Sequence, residues 1–140
     1  MKKYKILIAD DESQVLDIMA KKIRGEGYDV VTARDGAEAW EKIKSDSPDI
    51  VLLDLSMPKM DGFEVLGNLR KNPPSKKWQP VIIVSAKNEL EDMQKGLDLE
   101  ADHYITKPCL MGDILKGIKL MINLIPQRKL HWEMDEEKPA

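Results

Sequence analysis

The chain has one cysteine, Cys109, so no internal disulfide framework is available. Its two histidines, His103 and His131, lack the clustered partners that a zinc site requires. No apolar run approaches the roughly 20 residues needed to span a bilayer. Lys2 and Lys3 are followed by only a short apolar stretch broken at Asp10, which is not the profile of a secretory leader. Neither sign of charge is in large excess. The net charge of −3 gives the chain as a whole no electrostatic footprint for nucleic acid. There is no internal repeat. These absences lead us to expect a cytoplasmic protein without direct membrane or nucleic-acid contacts. With 42% hydrophobic and 34% charged residues over 140 positions, the composition fits one globular domain large enough to bury a core.

What is present is an alternation of short apolar runs with helical patterns. Lys5–Ala9 reads as a first strand, and a helix from about Glu12 to Arg24 follows, with Val15, Ile18, Met19 and Ile23 on one face. Tyr28–Thr32 is a second strand, and Asp35 is placed to cap a helix running to about Ser45 with Ala37, Trp40 and Ile43 inward. Ile50–Leu53 is a third strand, and Asp61-Gly62 opens a helix striped by Phe63, Leu66 and Leu69. A proline- and lysine-rich loop over 72–80, with Lys76 and Lys77 solvated, leads to a strand at Val81–Val84. Asn88 is placed to cap the next helix, to about Leu97. A short strand at Asp102–Ile105 and a last helix from Met111 to Leu124 complete the pattern, the helix using Ile114, Leu115, Ile118, Met121 and Ile122 inward. Repeated βα units imply a parallel sheet covered by helices on both faces, an α/β doubly wound fold. Residues 1–125 form the expected domain, and 126–140 a poorly ordered C-terminal tail.

Chemistry gathers where strands end. Asp10 and Asp11 follow the first strand, Asp54 the third, Ser85 the fourth, and Lys107-Pro108 comes just after the fifth. In an open α/β sheet, ligands bind outside these carboxyl ends. Clustered carboxylates repel and need compensation. A divalent cation and a phosphoryl group suit such a set.

These residues, with Met57-Pro58 and Asp61-Gly62 downstream of Asp54, Ala86 after Ser85, and Gly96-Leu97 and Ala101-Asp102 before the last strand, resemble the receiver domains of two-component response regulators over about residues 4–124. The chain is similar to single-domain members of the chemotaxis regulator type. That resemblance implies a flavodoxin-like five-stranded sheet in order 2-1-3-4-5 with five helices, an order already known for chemotaxis receivers. It implies Asp54 as phosphoacceptor, with Mg²⁺ (Mn²⁺ as substitute) held by Asp11, Asp54 and the backbone carbonyl of Ser56, and by Asp10 through water. Ser85, Ala86 and Lys107 would contact the phosphate, and Ser85 with Tyr104 would form the switch. The implied phosphoryl donor is a phosphohistidine of a sensor histidine kinase or a phosphotransfer protein. The implied output is a downstream effector protein, with the chain a monomer or a phosphorylation-dependent dimer. The chain would not be an enzyme beyond its own phosphorylation and dephosphorylation. The resemblance also implies a cis Lys107–Pro108 bond, where the base rate of about 5–6% for X–Pro bonds says trans.

Three rivals fare worse. An aspartate-nucleophile phosphohydrolase of the haloacid dehalogenase type needs a second aspartate two residues on, where Ser56 stands, and there is no cap domain. A flavodoxin-like cofactor binder needs a small or hydroxyl-rich cradle after the first strand, and Asp10-Asp11-Glu12 would repel its phosphate. A receiver kept only as a scaffold would not need every site position filled.

Overall fold

The structure, a computed structural model, describes residues 3–136, with side chains described through residue 126. Strands and helices alternate: β1 (Lys5–Ala9), α1 (Ser13–Gly25), β2 (Asp29–Ala33), α2 (Gly36–Asp46), β3 (Ile50–Leu53), α3 (Gly62–Lys71), β4 (Val81–Ser85), α4 (Leu90–Asp98), β5 (His103–Thr106) and α5 (Met111–Glu136). All strand pairs are parallel, in the order β2-β1-β3-β4-β5. The expected doubly wound fold is therefore present.

The near-continuous apolar strands are explained by burial on both faces. Successive strand residues point to opposite sides. Leu7, Val51, Leu53, Val81 and Ile83 pack with Ala39 and Ile43 of α2 and with Phe63, Val65, Leu66 and Leu69 of α3. Ile6, Ile8, Ile50, Leu52, Ile82 and Val84 pack with Leu16, Met19, Ala20 and Ile23 of α1 and with Ile114, Ile118 and Met121 of α5. Two cores thus grip one sheet, which fixes where each strand ends.

Several local expectations need correction. The buried stripe of α1 is Leu16, Met19, Ala20 and Ile23, and Ile18 is 58% exposed. Leu16 and Ile18 differ by roughly 200° around the helix, so only one can face the sheet. In α2 it is Ala39 and Ile43 that are fully buried, with Trp40 packed at the margin. Asn88 does not cap α4. Glu89 is the N-cap, without a side-chain bond, and in the loop before it the Lys87 carbonyl accepts from the Tyr104 hydroxyl. Helix α5 runs through Pro126 to Glu136 and does not end at Leu124. Beyond Pro126 the chain supplies Gln, Arg, Lys, Leu, Glu and Met, which are good helix formers, and no glycine. Lys77 is not simply solvated: it pairs with buried Asp49 at 2.8 Å and donates to the Ser47 carbonyl at 2.9 Å. Asp35 caps α2 as expected, accepting from the Glu38 amide at 2.8 Å, and Asp61, expected only to open α3, caps it by accepting from the Glu64 amide at 2.9 Å.

Asp102 is tied more deeply than a strand-start residue would be. Its Oδ2 accepts from the Val81 amide at 2.8 Å and from Arg70 Nη2 at 2.8 Å. Arg70 also donates to the carbonyls of Gln79 and Glu100. One carboxylate thereby joins α3, β4 and the start of β5. Asp102→Ala leaves the Val81 amide and an arginine side chain only 16% exposed without this partner. A loss of about 1–3 kcal/mol in urea unfolding is expected, the cost of an unsatisfied buried group; an unchanged midpoint would contradict this role.

Candidate functional site

The register aligns the chemistry. Ala9 pairs with Leu53, so Asp10 and Asp54 each lie one step beyond a matched pair on neighbouring strands. Ser85 pairs with Thr106, so Lys107 lies one step beyond β5. Each site backbone is tied to an adjacent strand's last carbonyl. Asp10 N–H donates to Ala33, Asp54 N–H to Ala9, and Lys107 N–H to Ser85, at 3.1, 3.0 and 2.8 Å. The strand ends therefore fix where these side chains begin.

Carboxylate oxygens of Asp10, Asp11 and Asp54 lie within 4.8 Å of one another. Asp10 and Asp54 are buried, at 2% and 6% exposure, whereas Asp11 faces solvent. Asp10 Oδ1 accepts from the Glu12 amide at 2.9 Å, so this residue also shapes the turn into α1. Its Oδ2 takes the Lys107 ammonium at 2.6 Å, and Lys107 reaches Asp54 Oδ2 at 3.4 Å. Asp54 Oδ1 accepts from the Ser56 amide at 3.2 Å. Burial alone would lower the Lys107 pKa, but the Asp10 hydrogen bond and the charges of Asp54 and Asp10 outweigh it, and the pKa is raised. Lys107 is thus the one described cation on the cluster, firmly charged at neutral pH. The Lys107–Pro108 bond is cis, as the resemblance implied.

Ser85 is fully buried and its Oγ accepts from the Lys87 amide at 3.3 Å; Ala86 is exposed at the strand end. Tyr104 packs against the core beside Gly96, and its hydroxyl donates to the Lys87 carbonyl. Burial raises the Tyr104 pKa, helped by the negative charges of Asp92 and Asp54. Both backbone groups of Lys87 are therefore taken, its N–H by Ser85 and its carbonyl by Tyr104. Sequence reasoning paired Ser85 with Tyr104 but missed this shared backbone residue. A backbone acceptor leaves no side-chain signal to find. Among the described residues no hydrogen bond joins the Ser85 hydroxyl to the acid cluster. Ser56 is exposed between buried Leu55 and Met57. Cys109 is half-buried, and burial pushes its thiol up despite Lys107 nearby, which fits an unreactive residue.

The family described as the response regulator receiver domain matches residues 6–119. The chain belongs to the response regulator receiver family. Among curated relatives, the receiver is 38% identical over 118 residues to the alkaline phosphatase synthesis transcriptional regulatory protein PhoP of Bacillus subtilis, a match covering 84% of this chain and 48% of that protein. The chain thus spans about half the length of that relative. A solved CheY-like receiver domain protein from Methanospirillum hungatei is 31% identical with a TM-score of 0.84, covering 91% of this chain and 99% of that one. The CheX–CheY–BeF3–Mg²⁺ complex from Borrelia burgdorferi matches at 30% identity and a TM-score of 0.78, over 85% of this chain and 89% of that one. Receiver domains are signalling modules of two-component systems, not enzymes in the usual sense. They bind Mg²⁺ at an acidic pocket, and the Asp10, Asp11 and Asp54 cluster of this receiver is compatible with that ion. No helix among the described residues is long and apolar enough to cross a membrane.

Proposed function

We propose that this receiver accepts a phosphoryl group on Asp54 in a Mg²⁺-dependent step, and that the phosphate biases the Ser85–Tyr104 element to change a protein-binding face. The observation that carries the reading is Lys107 spanning Asp10 and Asp54 beside a third carboxylate. A carboxylate attacks phosphorus to give an aspartyl phosphate, and the donor leaves with its electron pair. The bond is formed by positioning and charge neutralisation more than by covalent machinery.

The donor set fits a hard cation: three carboxylates and the backbone carbonyl of exposed Ser56, all oxygen. Asp11, Asp54 and the Ser56 carbonyl would hold Mg²⁺, with Asp10 acting through water. Bound there, the ion supplies charge compensation and orients phosphate oxygens. Asp54 is the nucleophile, buried and aimed by the Ser56 amide. Lys107 shifts from the carboxylates toward a phosphoryl oxygen, as a point charge on a flexible stem can. The Ser85 hydroxyl and the Ala86 amide donate to the remaining oxygens. For Ser85 to turn, its bond to the Lys87 amide must break, and Tyr104 is bound to the carbonyl of the same residue.

The donor in this reading is a phosphohistidine on a sensor kinase or phosphotransfer protein, and the reader is an effector protein meeting α4, β5 and α5. Leu90, Leu97 and Leu120 stand 81%, 67% and 48% exposed on those helices, apolar surface suited to a protein partner. A similar receiver was crystallised as a complex of CheX and CheY with BeF3 and Mg²⁺, that is, with a protein partner.

Mass spectrometry of the intact protein after incubation with acetyl phosphate tests the reading. A gain of one phosphoryl group is expected with Mg²⁺ and not with excess chelator. No gain under either condition would sink it. The same samples serve a second prediction. In gel-shift titrations at low salt, neither form of this chain should bind duplex DNA below micromolar concentration, since its net charge of −3 becomes more negative on phosphorylation. Tight binding strengthened by phosphate would place the output on nucleic acid.

A further inference from the structure

We propose that the start of α2, through Asp35 and Gly36, is a clamp that positions the β3–α3 loop (residues 54–61) and with it the oxygen donors of the acid site. The inference rests on the metal reading above and deepens it, naming residues outside the donor set that fix its geometry.

Two glycines pin the loop. At its base, a Cβ on Gly62 would fall 2.3 Å from the Asp54 carbonyl oxygen and 2.8 Å from Leu55 Cα, and the Gly62 N–H donates to the Leu55 carbonyl at 3.0 Å. At its apex, a Cβ on Gly36 would fall 1.6 Å from the Met60 carbonyl oxygen and 2.5 Å from its carbon. The Gly36 N–H also reaches the Pro58 carbonyl at 3.4 Å. Both approaches are to backbone, which cannot swing aside as a flexible side chain does. The apex is a tight turn in its own right. Met60 N–H donates to the Pro58 carbonyl at 2.8 Å, and Lys59 has a left-handed φ of 68°. The Asp35 carboxylate that caps α2 also meets the Lys59 ammonium at 3.5 Å. Asn68 donates to the Met60 thioether at 3.5 Å from the other side.

A side chain at position 36 forces something to move, because real Cβ atoms essentially never approach within 3.0 Å. Helix α2 is the harder part to displace, since Ala39 and Ile43 are fully buried in the core. The loop must yield. Between apex and Ser56 lie Pro58, whose φ is fixed, and buried Met57, so little of the displacement is absorbed on the way. Mg²⁺ demands near-ideal octahedral geometry. A displacement on the order of an ångström at a supporting residue is therefore read as lost affinity.

The test is calorimetric titration of the full chain with MgCl2 alone, without phosphodonor. Gly36→Ala should bind Mg²⁺ about tenfold more weakly, the scale of losses when residues supporting a metal site are changed. Its acetyl phosphate labelling should recover at saturating Mg²⁺, and its circular dichroism without metal should match that of the parent, which an unfolded variant would not show. Gly112→Ala, at a glycine with no atom within 4 Å of the added Cβ, should bind as the parent does. If circular dichroism shows Gly36→Ala unfolded, Asp35→Asn decides, since it keeps an oxygen for the Glu38 amide and gives up the charge that meets Lys59; weakened binding supports the clamp and parental binding overturns it. A parent that fails to bind Mg²⁺ overturns both the metal reading and the clamp. A parent that binds, with a folded Gly36→Ala binding as tightly, overturns the clamp alone.

Discussion

Asp54→Asn is expected to remain folded and to gain no phosphoryl group from acetyl phosphate at any Mg²⁺ concentration. The amide keeps the shape of the carboxylate and can still accept from the Ser56 amide, the bond Asp54 makes at 3.2 Å. It removes one of three crowded negative charges and leaves Lys107 its shorter partner, Asp10, at 2.6 Å. Stability should therefore change little. Chemistry should be lost outright, because an amide is no nucleophile toward phosphorus at neutral pH. Neither remaining carboxylate is a ready substitute. Asp10 is committed to the Glu12 amide and to Lys107, and Asp11 faces solvent. Intact-mass measurement after acetyl phosphate treatment reads the result, with thermal unfolding as the check on folding. Labelling in this variant equal to that of the parent would falsify Asp54 as phosphoacceptor.

How far the sequence carried this site follows from what each signal encodes. Ile50–Leu53 was legible to the residue, because an apolar run ending abruptly in a charge reads the same from either end. The helix faces were less legible. In α1 both Ile18 and Leu16 are apolar, and only the direction of the sheet decides between them. The acid cluster was legible because strand ends converge wherever parallel strands share a sheet. The Arg70–Asp102 tie was missed, since it joins residues from two elements that no local pattern relates. The Gly36–Met60 contact was invisible for a further reason: a glycine needed for close approach carries no chemistry, and its partner here is a main-chain carbonyl. Helix α5 outruns the expected end at Leu124 because the segment from Pro126 has no apolar periodicity to announce a helix, although its residues favour one.

Lys107→Met should be among the most destabilising substitutions in metal-free buffer, and Mg²⁺ should stabilise the variant. In the parent, Lys107 is 19% exposed and stands against side chains of Asp10 and Asp54 that are only 3% and 7% exposed. Removing one member of a buried pair leaves the other charge uncompensated and costs about 3–5 kcal/mol; the lower end, about 3 kcal/mol, is expected here because Lys107 keeps some water. Methionine fills a similar volume, so lost packing contributes little. Mg²⁺ takes over the missing positive charge. An ion at 100 times its dissociation constant stabilises the folded state by about 2.7 kcal/mol, provided the unfolded chain does not bind it. The pH dependence distinguishes charge from packing. The Lys107 pKa is raised in the folded state above its ordinary 10.5. Its contribution to stability is therefore complete below about pH 10.5 and declines as pH rises through the raised value. The parent should lose its advantage over Lys107→Met across that alkaline window and not in acid through any titration of this lysine. Urea unfolding of both proteins at pH 8 and at pH 11 in chelator, and at pH 8 with Mg²⁺, measures each arm. A variant as stable as the parent at pH 8 without metal would mean that Lys107 does not hold the acid cluster together.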